Sequence, residues 1–368
     1  KWNNYGTTLG LLARLEITYA DGGTQTVVTD GNWKTFCDGP LRYEDIYNGV
    51  TYDATREIDG WAESGLDDSA WTAAQTTTAS ALNVAAAPVY TPTQETKTNR
   101  VFEVREILHS VENTYVYDFG QNMSGVPYLV LRGQKGQRLK IRYGEEINDR
   151  LSNKDGENGT VYQGTFGSAQ QTDYFTCSGG EDIFCPTMTS HGFRYMEVSS
   201  LNFDLPTQTE LETLIPEVKA YARYTGMENT STFESSNEKI NRLYQNAFWS
   251  GASDFVNTPT DSAANGERQG WSGDAQIFAR TASYFYNCMT FYEKYVSDLR
   301  LGQHPNGAYP EVAPAPTWTN QNAKNGWGDA GVIIPWTMYL QYGDTRILEE
   351  NYAAMSKWID CLMDQSEN

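Results

Sequence analysis

Apolar and polar positions divide the chain into three stretches of different rhythm. Over residues 1–88 they alternate in short runs broken by turns. LARLEITYADGGTQTVVTD alternates on both sides of Asp21-Gly22-Gly23, which predicts a hairpin reversing at the glycines. GLDDSAW, ending at Trp71, reads as a turn that feeds a further strand, and residues 85–98, with Pro88 and Pro92 among small side chains, read as a linker. A second alternating stretch extends to Pro216 through TYVYDFGQNMSGVPYLVLRG, QRLKIRYGEEI and TDYFTCSGGEDIFCPTMTSHGFRYMEV. Turns recur there every 8–12 residues or so, the spacing of an antiparallel sandwich.

From about Glu217 the period lengthens to that of a helix. One helix is expected from Ser235, with Glu238 in its first turn and apolar residues at 240, 243, 244, 247 and 248. Others are expected from Asp274, from Thr290, from Gly328 (interrupted by Pro335) and from Asp344 as N-cap. Apolar-faced helices joined by loops of very unequal length suggest a helical barrel or toroid with its chemistry on the long-loop rim. The expected domains are therefore β at 1–88, β at 89–216 and helical at 217–368.

The most polar of those loops, residues 257–276, reads NTPTDSAANGERQGWSGDAQ and lies between two helical stretches. Hydrolysing a glycosidic bond needs a protonated carboxylic acid at the leaving oxygen and a second carboxylate opposite. The acid must be kept protonated by apolar walls or neighbouring negative charge. Glu267, between Asp261 and Asp274 and four residues before Trp271, has both influences nearby. Asp261 and Asp274 suit hydrogen bonding to sugar hydroxyls, although one reads equally as a turn residue and the other as the N-cap of the next helix. A second long loop, residues 304–328, carries Glu311, Trp318, Trp327 and four prolines, with Asp329 just beyond. It reads either as a stiff aromatic wall for a sugar cleft or as a proline-ordered connection whose tryptophans pack inward.

Composition narrows the ligand. The 368 residues are 39% hydrophobic and 20% charged, which is globular and long enough for two or three domains. Aromatics reach 13%, with 10 Trp and 24 Tyr. That suits sugars, whose C–H faces pack on flat rings, and equally suits strands that simply use aromatic side chains. A net charge of -20 argues against nucleic acid and anionic membranes as partners and favours a neutral or cationic small ligand. No apolar run reaches the roughly 18 residues of a membrane-spanning helix. Cysteines at 37, 177, 185, 288 and 361 form neither a disulfide framework nor a zinc spacing. Cys177 and Cys185 flank Gly179-Gly180 and either face each other across a hairpin or remain free thiols in adjacent strands. Three histidines, at 109, 191 and 304, make metal catalysis a poor expectation, and His191 reads more readily as a structural residue at a strand start than as a ligand.

The ordered set of motifs resembles bacterial α-L-rhamnosidases of glycoside hydrolase family 78. The family pattern runs D-C-P-Q-R-D-E-R-x-G-W-T-G-D-A-Q, against DSAANGERQGWSGDAQ in this chain. Asp261, Glu267, Arg268, Gly270, Trp271, Gly273, Asp274, Ala275 and Gln276 fall in register. Further matches follow in order at Phe291-Tyr292, Asp298-Leu299, Gly307, Pro310, Ala313-Pro314, Trp327-Gly328-Asp329-Ala330, Pro335-Trp336 and Tyr342-Gly343-Asp344. YDFGQNMSG, YGEEI and HGFRYMEV resemble the β domain that precedes the catalytic one, and DGNWK, YDATREIDGW and DDSAW the N-terminal β domain.

The resemblance implies two antiparallel β-sandwich domains followed by the first half of an (α/α)6 barrel, in an inverting hydrolase that removes terminal α-L-rhamnose. Glu267 would be the general acid, with Asp261, Arg268, Trp271, Asp274, Trp318 and Trp327 around the sugar. The substrate would be a rhamnose-containing oligosaccharide, polysaccharide or glycoside, and no cofactor is needed. Residues 262–266 depart from the pattern, replacing its Arg and Asp, a charge pair close to the acid. A twelve-helix barrel needs about twice the helical sequence that follows Glu217, so a further segment or a second chain is expected to complete it and to supply the general base. Lys1 likewise reads as a start inside a longer protein. Glycan breakdown favours a secreted or periplasmic setting. The rival readings are a non-catalytic carbohydrate-binding protein and a helical-toroid glycosidase acting on another sugar.

Overall fold

The computed structural model describes residues 10–77, 96–149, 151, 155–316 and 324–366. They fall into two compact units, one formed by residues 1–40 and 56–91 and the other by residues 41–55 and 92–368. In the first unit Arg14–Thr18 pairs antiparallel with Thr24–Val28, and the chain reverses through Gly22 at φ 84°, as the Asp-Gly-Gly signal predicts. Trp71 closes a turn on Asp68 and leads into Thr72–Ala73, which pairs with Lys34–Thr35. Most of the proposed linker lies outside the described residues, and Thr96 already begins a strand.

The second unit is built on a ten-stranded sheet: β1 (Leu41–Asp45), β2 (Gly49–Asp53), β3 (Thr96–Glu103), β4 (Glu106–Val111), β5 (Thr114–Leu131), β6 (Arg138–Gly144), β7 (Thr172–Thr176), β8 (Asp182–Phe184), β9 (His191–Ser200) and β10 (Glu217–Thr225). Its order is β1-β2-β7-β6-β9-β5-β10-β3, with β4 and β8 also pairing to β5. All pairs are antiparallel except β2 with β7. The 18-residue β5 carries the architecture. Its first part pairs with β4 and β9, its last with β8 and β10, and the pairing to β9 skips from Asp118 to Met123 in a bulge.

Two segments join this sheet from outside the stretch 89–216. Leu41–Thr55, placed in the first domain, pairs with β7 in this sheet. Glu217–Thr225, placed in the helical region, is a strand between β5 and β3, and its Ala220, Ala222 and Tyr224 alternate inward. Period-two alternation was visible there but was masked by the helical stretch that follows.

The expected helices form as α2 (Glu238–Asp254), α3 (Ser272–Phe285), α4 (Met289–Leu301), α5 (Ala330–Tyr342) and α6 (Arg346–Ser366), preceded by a short α1 (Gln208–Leu214). The sequence reading missed α1, although Thr207 and Glu210 form a complete capping box at its start. Asn237 caps α2 by accepting from Lys239 N–H at 3.0 Å. Of the expected α2 face, Phe248 is buried with Trp249 and Ala252, while Ile240 and Leu243 stay exposed. Helix α5 runs through Pro335 without a break, because the buried Ile334 and Met338 hold it to its neighbours and only one backbone donor is forfeited.

One buried polar network ties the strands together. Asp173 on β7 accepts Val50 N–H (2.8 Å) and Tyr143 O–H (2.6 Å), and His191 Nε2 lies 3.1 Å from it. The His191 ring stacks on Tyr143 at 4.0 Å. His191 is thus structural, as its position at a strand start suggests. Cys177, buried, and Cys185, half-buried, are free thiols.

Removing Asp173 would strand three buried partners. Asp173→Ala is expected to cost about 3 kcal/mol or more, and Tyr143→Phe only about 1 kcal/mol, read as the shift in denaturation midpoint. Equal losses would show that the network is not centred on the carboxylate.

Candidate active site

The central loop leaves α2 through a short return in which Thr258–Pro259 pairs with Phe255–Val256. Thr260 ties the return to the helix end, its N–H and hydroxyl both donating to the Asp254 carbonyl, at 2.9 and 2.7 Å. The loop then closes on itself. Asp261 N–H donates to the Gln269 carbonyl (3.2 Å), and Gln269 N–H donates to the Asp261 carboxylate (2.9 Å). The intervening turns are local: Ser262 Oγ accepts from Ala264 and Asn265, and Asn265 Oδ1 accepts Glu267 N–H at 2.7 Å.

This closed loop is seated on the β-sheet. Gly266 N–H donates to the Phe166 carbonyl (2.9 Å), Tyr47 O–H to the Glu267 carbonyl (3.0 Å), and Arg268 Nη1 to the Ser190 carbonyl (2.6 Å). Ala264 packs with Phe166, Ala169 and Tyr47. A Cβ on Gly192 would lie 2.7 Å from Ala263 and Ala264, so only glycine lets the strand approach this closely. The small residues in the departing 262–266 segment fit that contact.

Arg268 adopts φ 36°, stacks over the Tyr47 ring at 5.0 Å and also donates to the Asn265 carbonyl. Burial lowers its guanidinium to about 10. Its bonds run to the sheet and to its own loop. Those two bonds anchor Arg268 between the loop and the sheet, while its Nη2 is buried with no hydrogen-bond partner among the described residues.

The other expected residues are only partly brought together. Asp261 and Asp274 line one cleft of about 260 Å³, with Ser250, Asp254, Ile277 and Phe278. Glu267 is exposed, and its carboxyl is near enough to that of Asp261 to act on it. Burial pushes Asp261 up to about 6, the Gln269 N–H pulls it down, and the Glu267 carboxyl raises it again. Asp274 sits in the first turn of α3 and is not its cap, a place taken by Trp271. Trp271 forms a β-bridge with Val312, and Gly270 and Ser272 bond the same second loop at Ala313 and Glu311. Trp327, 40% exposed, lies against Gly273 at the start of α3. Glu311 is buried and paired with Lys324 at 2.7 Å, while Asp329 accepts from Gly326 N–H and Trp358 Nε1. Trp318 lies outside the described residues.

Sequence reading missed Asp254, the last residue of α2. Burial, then the charges of Asp261, Glu145 and Asp274, push its carboxyl up to about 7. A carboxylate at a helix C-terminus opposes the helix dipole, and that was the available signal. Tyr47, far away in sequence, gave none.

Comparison with known proteins completes this picture. Residues 228–368 match the bacterial alpha-L-rhamnosidase 6 hairpin glycosidase domain, residues 108–215 the bacterial alpha-L-rhamnosidase concanavalin-like domain, and residues 1–97 the alpha-L-rhamnosidase N-terminal domain. An α-L-rhamnosidase of Formosa agariphila is 36% identical over 352 residues, covering 95% of this chain and 36% of that protein. One from Streptomyces avermitilis is 34% identical over 99% of this chain and 34% of its own length. The crystal structure of Streptomyces avermitilis α-L-rhamnosidase complexed with L-rhamnose superimposes with a TM-score of 0.87 at 33% identity, over 98% of this chain and 33% of that one. The native Aspergillus terreus enzyme gives 0.84 at 32%, over 97% and 39%. The chain belongs to the bacterial α-L-rhamnosidases of glycoside hydrolase family 78. It spans about a third of the length of the relatives it matches.

Two outcomes follow from this geometry. Asp254 and Asp261 hold protons in the folded state that the unfolded chain has already released, so stability falls as pH rises from about 4 to about 7. Asp254→Asn is expected to flatten that fall and to raise the melting temperature at pH 8 by a few degrees; an unchanged pH profile would contradict the assignment. Arg268→Ala is expected to cost about 2 kcal/mol, with Arg268→Lys failing to restore it, because lysine cannot bond two carbonyls while stacking on Tyr47. Full rescue by lysine in a thermal melt would show that charge alone matters.

Proposed function

We propose that this chain is part of an inverting α-L-rhamnosidase that releases terminal α-L-rhamnose from rhamnosides or glycans. The observation that carries the reading is the cleft lined by both Asp261 and Asp274, with the Glu267 carboxyl near enough to Asp261 to raise it. The relative complexed with L-rhamnose supports the choice of sugar.

Glu267 is the general acid. Its carboxyl gives a proton to the glycosidic oxygen as the bond from that oxygen to the anomeric carbon breaks, and the leaving group departs as an alcohol. A water oxygen bonds the anomeric carbon from the opposite face, and the proton it loses passes to a second carboxylate. Inversion places that carboxylate roughly 6.5–9.5 Å from the acid, and we assign it to a residue outside this chain. Asp261 and Asp274 accept bonds from sugar hydroxyls, and Trp271 and Trp327 supply aromatic walls. Helices α2–α6 form the N-terminal half of an (α/α)6 barrel, completed by a further segment or a second chain, and the β regions are the sandwich domains that precede it.

In the full-length protein, Glu267→Gln is expected to lower kcat/KM on a rhamnosyl disaccharide by about 10²–10⁴-fold. The loss should be smaller on p-nitrophenyl α-L-rhamnoside, whose leaving group needs little protonation. Retained activity on the disaccharide would remove Glu267 from the mechanism. NMR of the first sugar released should show the β anomer; the α anomer would rule out inversion.

A further inference from the structure

Beside the cleft that holds Asp274 lies a second, larger one of about 650 Å³, within the usual range of small-molecule sites. The two share Ser250, Asp254 and Asp261 as a common wall. One side of the second cleft is the bulge of β5 with Gln121 and Asn122, next to Glu145. The other is the outer face of α2, with Arg242 and Asn246. The β side is held in place by its own bonds, Asn122 donating to Glu145 at 2.7 Å and Gln121 to the Asn122 carbonyl at 2.7 Å. On the α2 side Arg242 and Asn246 are exposed, and their side chains make no hydrogen bond or ion pair among the described residues, which leaves both able to meet a ligand.

Two features decide what that ligand is. The aromatic ring in the lining, Trp249, is only 6% exposed and is covered by Arg100 at 5.5 Å, so the cleft has no flat face for an aromatic aglycone. Carboxylates outnumber cations, since Glu145, Glu146, Asp254 and Asp261 face Arg242 and an Arg194 already held by Asp118 at 2.7 Å, which disfavours an anionic sugar.

We propose that this second cleft is the leaving-group site and that it takes a neutral saccharide, so that the substrate is a rhamnosyl oligosaccharide or polysaccharide, as opposed to an aromatic glycoside. The inference rests on the rhamnosidase reading. With rhamnose between Asp261 and Asp274, a leaving group that passes the shared wall of Ser250, Asp254 and Asp261 enters the larger cleft. There Arg242, Asn246 and Gln121 hydrogen-bond its hydroxyls, and the volume accommodates a leaving group larger than the sugar released.

The test compares kcat/KM of the full-length protein on a neutral α-L-rhamnosyl-hexose disaccharide, a rhamnosyl flavonoid and p-nitrophenyl α-L-rhamnoside. The disaccharide is expected to be preferred over the flavonoid. Arg242→Ala with Asn246→Ala is expected to lower the disaccharide-to-nitrophenyl ratio by about tenfold, the loss of one charge-assisted hydrogen bond. Gln121→Ala, on the opposite wall, should move the ratio the same way, so the result does not hang on one helix. A flavonoid preference, or a ratio unmoved by all these variants, overturns the leaving-group site. A wild-type protein silent on all three substrates overturns the rhamnosidase reading itself.

Discussion

The closure of Asp261 upon Gln269 is the interaction on which the site depends. Two hydrogen bonds, one between backbones and one to the Asp261 carboxylate, close nine residues into a ring, and that ring then docks on the sheet through Tyr47, Phe166, Ser190 and Gly192. A carboxyl at the tip of a free surface loop would sample many orientations. Here the backbone on both sides of Glu267 is bonded, while the side chain itself stays exposed and able to reach a ligand. The β-sheet is thus a jig for the loop as well as a neighbour of the helices.

The same loop gathers acidic groups with little compensation. Asp254 ends a helix at the unfavourable pole, Asp261 faces Glu267, and the nearest strong cation in the loop, Arg268, is turned away to the sheet. Such crowding is destabilising in a folded protein, and it is also what keeps a carboxylic acid protonated near neutral pH. Where local rules are broken without structural gain, chemistry is the economical explanation.

Much of this was legible in the order of residues. The Asp-Gly-Gly hairpin, the five long helices and the carboxylates at 261, 267 and 274 each follow from short-range pattern, because turn geometry and helical period are local properties. What escaped depended on distant neighbours. Asp254 becomes part of the acidic group only because the chain doubles back at Asn257, and Tyr47 reaches the loop only because Leu41–Thr55 joins a sheet whose other strands lie far along the chain. The anchoring of Arg268 was hidden for the same reason: its partner carbonyl belongs to Ser190. The strand Glu217–Thr225 is a different failure, since its alternation was present and lost to the stronger helical signal beside it.

The bulge in β5 separates two ladders that are each complete without it. The strand pairs up to Asp118 on one side and again from Met123 on the other, and the four residues skipped are free of register. Three of them, Gly120, Gln121 and Asn122, also wall the larger cleft, while Phe119 packs into the core, so substitutions at those three reshape the wall without forcing any side chain to change faces. The shape of that wall can therefore change through residues 120–122 while Asp261, Asp274 and the core stay as they are.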